Sequence, residues 1–361
     1  MQTSRARRRL PSLVHYGLSL ALSLAIGPGH AHLPQSPSPE VLAARNSIDA
    51  GRMSDLVHEL SSRRYLGRLP GTEGDKRARA YLENLFRQIG LAPAGTNGFL
   101  QEFNTQITQP DGESHGNPRN PLMGRSARTA NIIGSLPGTD PKLKHEIIII
   151  SGHHDHLGWR PRDEDADDDS PVEYYPGAND DLSGIASMLE LARAFKRLKG
   201  PQNRRTLMFV AYGAEEQTEM GSTAHVKKLR DEGSLGQVIL MLSIDMIGRG
   251  YKQFDETLAA TWARQAYRGE PDDGDMYSHK YECEPGPTFD YDAGPFAHHG
   301  INNRVIGRAD VDHYHKPSDT AKTVEFEAAA RVTKAIFDFV WHIDQADIPP
   351  KPAGIPAKCR K

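Results

Sequence analysis

The sequence predicts an α/β sandwich built on a mainly parallel sheet, and three observations carry that expectation. Ile147 to Ile150, Leu207 to Ala211 and Val238 to Ile244 are short, nearly all-apolar runs, as strands buried on both faces of a parallel sheet require. Apolar residues recur at helical spacing outside those runs, and the two kinds of segment alternate along the chain. The first element in order is a helix: Ala78, Leu82, Leu85, Phe86 and Ile89 share one face, Thr72 and Asp75 supply a capping pattern, and Gly90 marks the stop. Ile185, Met188, Leu189, Ala192 and Phe195 give a second amphipathic helix after the first strand, and Ala329, Val332, Ile336 and Val340 a third near the end. No internal repeat or sustained heptad interrupts this pattern. His32 to Pro39 and the prolines at 349, 350, 352 and 356 mark a spacer over 32–45 and a tail over 346–361, leaving one domain over 46–345.

The chain has 361 residues, of which 37% are hydrophobic and 25% charged, with a mean hydropathy of −0.59. Those values argue against a polytopic membrane protein and against a disordered one. Lys and Arg number 44 against 47 acids, a balance that offers nucleic acid no attraction. Residues 1–31 read as an export signal: Arg5, Arg7, Arg8 and Arg9 precede an apolar stretch from Leu13 to Ile26, and Gly29-His30-Ala31 offers a cleavage site. That stretch is too short for a membrane span. The expected location is therefore periplasmic or secreted, with the consecutive arginines also allowing twin-arginine export. Removal of the signal leaves 40 basic and 47 acidic residues, a net charge near −7. The only cysteines are Cys283 and Cys359, which rules out a Cys-rich zinc site and leaves a single bridge open in an oxidising compartment. Any bound metal must be held by His and carboxylates.

Polar residues gather where the strands end. Ser151-Gly152-His153-His154-Asp155-His156 follows the first apolar run, and ligand sites form at the carboxyl ends of parallel strands. His153 and Asp155, two residues apart, share a face if the strand continues, which lets the carboxylate orient the imidazole. Gly177-Ala178-Asn179-Asp180-Asp181-Leu182-Ser183-Gly184 leads into the second helix, Ala214-Glu215-Glu216 ends the second strand, Ile244-Asp245-Met246 ends the third, and Asp312-His313-Tyr314-His315 lies further on. Each has a bland reading: a helix cap for Asp180 or Asp181, exposed charge for Glu215 and Glu216, a turn residue for Asp245, a surface histidine for His315. Caps and solvated charge do not explain why successive elements all place a carboxylate or imidazole at the same sheet edge.

The motifs H-x-D, G-A-N-D-D-x-S-G, G-A-E-E, I-D-M-I-G-R and Y-H-x-P-S-D-T, in this order, closely resemble the co-catalytic di-zinc aminopeptidases of bacteria, in the superfamily of glutamate carboxypeptidase, transferrin receptor and glutaminyl cyclase. Gly67-Arg68-Leu69-Pro70-Gly71-Thr72 and Ile89-Gly90-Leu91-Ala92-Pro93 are similar to that family's N-terminal signature, so the likeness spans roughly 50 to 342. It implies a three-layer α/β/α sandwich around a mixed, mainly parallel sheet, of the phosphorylase/hydrolase-like kind. It also implies two zinc ions, with His153 and Asp245 on one, Glu216 and His315 on the other, and Asp180 bridging. By the same resemblance Glu215 is the general base, Asp155 the carboxylate orienting His153, and Tyr314 the oxyanion-stabilising residue. Ions about 3.5 to 4 Å apart repel, and bridging and terminal carboxylates offset that charge.

The chain departs from the family in places. Phe289-Asp290-Tyr291-Asp292-Ala293-Gly294-Pro295-Phe296 stands where Ser-Asp-His before Pro-Phe is expected, and Gly300-Ile301-Asn302-Asn303 replaces Gly-Ile-Pro. His154 and His156 are expected to line the mouth or pack, and His298, His299 and His313 to lie at the surface. The acidic run 163–169 reads as a solvated loop, because it lacks a calcium loop's glycine and closing Glu. About thirty residues separate Leu100 from Asn131, too few for the inserted domain of many relatives. The implied activity is hydrolysis of N-terminal residues from peptides. The fold also serves carboxypeptidases, dipeptidases, glutaminyl cyclases and receptors, but the intact ligand set argues against a receptor and the two-zinc set against a cyclase.

Overall fold

The computed structural model describes residues 37–108, 117–162, 170–198, 203–252, 291–308 and 310–350, with a few positions between 254 and 277. The expected export signal, the acidic run 163–169, Cys283, Cys359 and most of the tail lie outside the described residues. Among those described, no helix is long and apolar enough to cross a membrane.

The chain forms helices α1 (Pro39–Asn46), α2 (Ala50–Leu60) and α3 (Glu73–Ile89), then strands β1 (Ala92–Pro93), β2 (Leu100–Gln106), β3 (Ser126–Leu136) and β4 (Ile147–His153). A small hairpin, β5 (Trp159–Pro161) with β6 (Val172–Tyr174), precedes α4 (Leu182–Arg197), β7 (Thr206–Tyr212), α5 (Met220–Asp231) and β8 (Val238–Ile244). β9 (Met276–Tyr277), a single helical turn α6 (Gly294–Ala297), β10 (Asn303–Ile306) and the long α7 (Phe326–Gln345) complete it. The main sheet runs β1-β3-β7-β4-β8-β10-β9, with β2 also paired to β3. Its centre, β7-β4-β8-β10, is parallel, and the flanking pairs are antiparallel.

The expected three layers follow from strand alternation. Ile148, Ile150, Leu207, Phe209, Leu240 and Leu242 face a core shared with α2, α3, α4 and α7. Ile147, Ile149, Met208, Val210 and Met241 face the opposite way, against Val226 and Leu229 of α5 and Phe296 of α6. α3 is capped as expected: Thr72 accepts from the Asp75 amide, and Gly90 ends the helix at φ 79°. The stretch expected to be a spacer is in part helical. Ser38 accepts from the Val41 amide, Pro39 opens α1, and Val41 and Ala44 are buried. A proline at the first helical position behind a serine cap explains the difference.

A turn at Arg63–Arg68 carries the N-terminal segment under the sheet's carboxyl edge. Leu66, Gly67 and Arg68 all adopt positive φ, and a Cβ at Gly67 would meet the Gly158 carbonyl at 2.2 Å, so only glycine fits. The Arg68 guanidinium is completely buried. It donates to the carbonyls of Leu60, His154, Pro176 and Gly177 at 2.6–3.2 Å. Burial brings its pKa down to about 10, opposed by the nearby Asp155 and Asp319, so it remains a cation. Arg68→Met strands several buried carbonyls at once. Each orphaned group costs about 1–3 kcal/mol, so chemical denaturation should show a loss of at least about 3 kcal/mol; a loss within about 0.5 kcal/mol would contradict this account.

Candidate metal centre

The site lies where the central parallel strands stop. β4 ends on His153. β7 ends at Tyr212, and two residues on Ala214 turns into the left-handed region (φ 58°), delivering Glu215 and Glu216. β8 ends at Ile244, presenting Asp245, and Met246 turns the chain away at φ 56°. His315, itself at φ 54°, arrives on the segment after β10. Non-glycine residues in this region cost about 1–2 kcal/mol each, and their clustering at the exits of the site marks backbone held for a purpose.

Three buried carboxylates set the positions of these segments by accepting backbone N–H groups. Asp181 caps α4 through Gly184 and also accepts from the amides of His153 and Met246, at 2.9–3.2 Å. Asp155 accepts from the amides of Glu215 and Glu216, at 3.0 and 3.3 Å. Asp319 accepts from the amides of Asn179 and Asp180, near 3.0 Å, and is ion-paired to Arg249. Gly184 and Gly307 permit this closeness. A Cβ at Gly184 would lie 2.1 Å from the Ile244 carbonyl, and one at Gly307 1.9 Å from that of Asp245.

The remaining side chains converge. His153 Nε2 lies 3.0 Å from Asp180 Oδ1 and 3.8 Å from both Glu215 Oε2 and Asp245 Oδ2. His315 Nε2 lies 3.2 Å from Asp180 Oδ2 and 3.0 Å from Glu216 Oε2. Thus His153, Asp180, Glu215, Glu216, Asp245 and His315, all singled out from the sequence, share one site. Asp155 Oδ1 stands 3.7 Å from His153 Nδ1, beyond hydrogen-bond length, and its hydrogen bonds go to the two glutamate amides. The Tyr314 ring stacks on His315 with centroids 3.7 Å apart, and burial, reinforced by Asp180 and Glu216, keeps its hydroxyl protonated.

Several residues of this site are not among the candidate ligands or catalytic groups expected from the sequence. His156, expected to line or pack, is fully buried with Nδ1 2.5 Å from Glu216 Oε1. Asp181 and Asp319 sit inside quoted motifs, yet nothing in the spacing separates Asp181 from Asp180. Asp292, in the departing segment, is buried beside the cluster, and burial lifts its pKa to about 7. His154 packs, with its Nε2 3.1 Å from the Ala130 carbonyl. His299 is exposed, while His298 and His313 are half-buried.

Burial disfavours ionisation of every carboxylate here. It prevails at Asp245, pushed up to about 8, and at Glu215, also raised. At Glu216 the facing His315 and His156 outweigh it and hold the group down at about 2, and His153 and His315 likewise hold Asp180 low. Burial is overcome in the opposite sense at His315, raised to about 11 by Glu216 and Asp180, and at His153, raised by Glu215 and its other carboxylate neighbours. Donor atoms of His153, Asp180 and Glu216 lie within 4.8 Å of one another, as do those of His153, Asp181 and Asp245. Asp245 Oδ1 is buried without a hydrogen-bond partner among the described residues. The buried cation Arg68 spends its donors on carbonyls. A buried set in which carboxylates outnumber imidazoles and an oxygen is left without a partner fits a divalent cation such as zinc.

Residues 131–340 match the family model described as Peptidase family M28. Aminopeptidase YwaD of Bacillus subtilis (strain 168) is 28% identical over 258 residues, covering 65% of this chain and 50% of that protein. A probable zinc metalloprotease of Pyricularia oryzae is 26% identical over 223 residues, 59% of this chain and 38% of that protein. The chain therefore spans about half the length, or less, of these relatives. Among solved structures, an aminopeptidase from Aneurinibacillus sp. strain AM-1 superposes with a TM-score of 0.60 at 19% identity, over 87% of this chain and 98% of that one, which shows a common fold. The matched stretch 131–340 makes up more than half of the chain and contains His153, Asp180, Glu216, Asp245 and His315, and on that match the chain belongs to Peptidase family M28.

Proposed function

We propose that this protein is a zinc-dependent aminopeptidase that holds two zinc ions, removes N-terminal residues from peptides and works after export to the periplasm or beyond. The observation that carries the reading is Asp180, whose two oxygens face His153 and His315 at 3.0 and 3.2 Å. A single carboxylate placed between two imidazoles, each with a further carboxylate beside it, is the donor arrangement of a dinuclear site. His153 and Asp245 would hold one ion, Glu216 and His315 the other, and Asp180 both. The relatives named as aminopeptidase and probable zinc metalloprotease support the same reading, and so does the basic and apolar start of the sequence for export.

Bound zinc supplies the Lewis acid that polarises a scissile carbonyl and makes water nucleophilic near neutral pH. Glu215, the slightly exposed member of the glutamate pair, takes the proton from that water and returns it to the departing amine. Asp155 holds the backbone of Glu215 and Glu216, so the two side chains diverge from one anchored peptide. Tyr314, kept protonated, donates to the oxygen that gains charge. The carboxylates of Glu215 and Asp245 hold the free amine of the substrate.

Elemental analysis should find two zinc ions per chain; a chelator should abolish hydrolysis, and zinc or cobalt restore it. His153 and His315, whose protons the surrounding carboxylates retain above neutral pH, must lose them to bind metal, so apparent zinc affinity should rise with pH and loading should release protons. One ion or none in fully active enzyme contradicts the dinuclear reading.

Glu215→Gln preserves size but accepts no proton. Turnover should fall about 10²- to 10⁴-fold with both ions retained. Glu216→Gln replaces an anionic ligand by a neutral amide, so metal content should drop first, with activity partly recovered at high zinc. Zinc per chain measured beside turnover separates the two, and a reversed pattern refutes the assignment.

A blocked amine loses the charge that the carboxylates hold and adds bulk. N-acetylated peptides should therefore be cut far more slowly than free ones, as product analysis will show. Equal rates with release from the C-terminus would instead indicate a carboxypeptidase.

A further inference from the structure

His156 belongs to none of the roles above, yet it is fully buried inside the site. Its Nδ1 lies 2.5 Å from Glu216 Oε1 and 4.0 Å from Asp180 Oδ2, and its ring meets that of His315 edge-on with centroids 5.8 Å apart. The two oxygens of Glu216 are thereby given different partners, Oε1 facing His156 and Oε2 facing His315 at 3.0 Å. The ring is also held from behind. A Cβ at Gly177 would come within 2.6 Å of its Cγ, and Arg68 grips the carbonyls of His154 and Gly177 on either side.

We propose that His156 is a positioning residue of the metal centre: its Nδ1–H donates to Glu216 Oε1, so that Glu216 presents Oε2 alone to the ion it shares with His315. A carboxylate free to rotate can bind an ion through either oxygen or through both, whereas one oxygen engaged by an imidazole fixes the orientation of the other. A ring that faces carboxylates through Nδ1 carries its proton there. The inference rests on the reading of Glu216 as a zinc ligand.

The test is zinc affinity, measured by competition with a chromophoric chelator on the full chain, for wild type and for His156→Asn, His156→Gln and His156→Leu. Asn places its amide N–H close to where Nδ1–H stood, whereas Gln places it nearer the position of Nε2. His156→Leu should weaken one of the two ions by about 10- to 100-fold, the usual effect of losing a partner that orients a ligand, and leave the other unchanged. His156→Asn should recover most of that loss and His156→Gln little of it. Asn and Gln carry the same amide and Gln is the closer to His in volume, so recovery by Asn and not by Gln cannot come from polarity or volume. Wild-type affinity in His156→Leu overturns the proposal, as does equal weakening in all three variants, which would mean that the ring acts through packing or as a ligand itself. If wild type binds a single ion, the two-ion reading fails on its own; His156 then keeps its role only if that ion is weakened in His156→Leu and restored in His156→Asn.

Discussion

Like charge concentrated in a buried place is the constraint to which the rest of this structure answers. Asp155, Asp180, Asp181, Glu216, Asp245, Asp292 and Asp319 are all nearly or fully buried about one edge of the sheet, with Glu215 only slightly more exposed. Uncompensated, such a group would be strongly destabilising. The compensation takes two forms. Asp155, Asp181 and Asp319 are satisfied by backbone N–H groups and thereby position the chain. Asp180 and Glu216 face imidazoles, while Glu215 and Asp245 rely on the same imidazoles at longer range and keep raised pKa values. Protonation relieves the charge of Glu215 and Asp245, and a divalent cation among these groups would relieve it without a proton.

The strained turns take on a function in this light. Ala214 in the left-handed region brings the amides of Glu215 and Glu216 together on Asp155, an anion-receiving concavity made of backbone alone. Met246 likewise turns its own amide toward Asp181, which already holds His153 and the start of α4. The conformational cost of each turn is offset by the hydrogen bonds its amides make to a buried carboxyl group. Rigid placement of these side chains follows from the main chain, ahead of any contact between the side chains themselves.

Much of this was legible in the sequence because the central strands are apolar on both faces and stop abruptly. The first imidazole or carboxylate after each run, His153, Glu215 or Asp245, had to lie at the sheet edge. What was not legible depends on direction past the strand end. His156 follows β4 by three residues, where the period of two no longer fixes a side, so lining and packing were the natural expectations. Asp180 and Asp181 are adjacent and equally suited to cap α4; only the observed turn sends Asp181 to the cap and Asp180 into the cluster. Strands β2 and β3 escaped because their shared stretch is exposed on one face and polar in composition. Asp292 was hidden by a segment that departs from the family pattern. The α1 cap, Ser38 before Pro39, was readable and was outweighed by the prolines and serines around it.

The loop 176–180, which delivers Asp180, is clamped from both sides. Arg68 holds the carbonyls of Pro176 and Gly177, and Asp319 holds the amides of Asn179 and Asp180. The two clamps stand 251 positions apart in the chain. The contacts that close on this loop are 108 to 140 residues apart in the chain, so each carries a loop-closure cost that local structure does not offset. A partly folded chain can hold its parallel strands and still leave Asp180 unplaced. Metal capture is thereby tied to completion of the tertiary structure, and a bound ion stabilises the finished fold by mass action over every earlier intermediate.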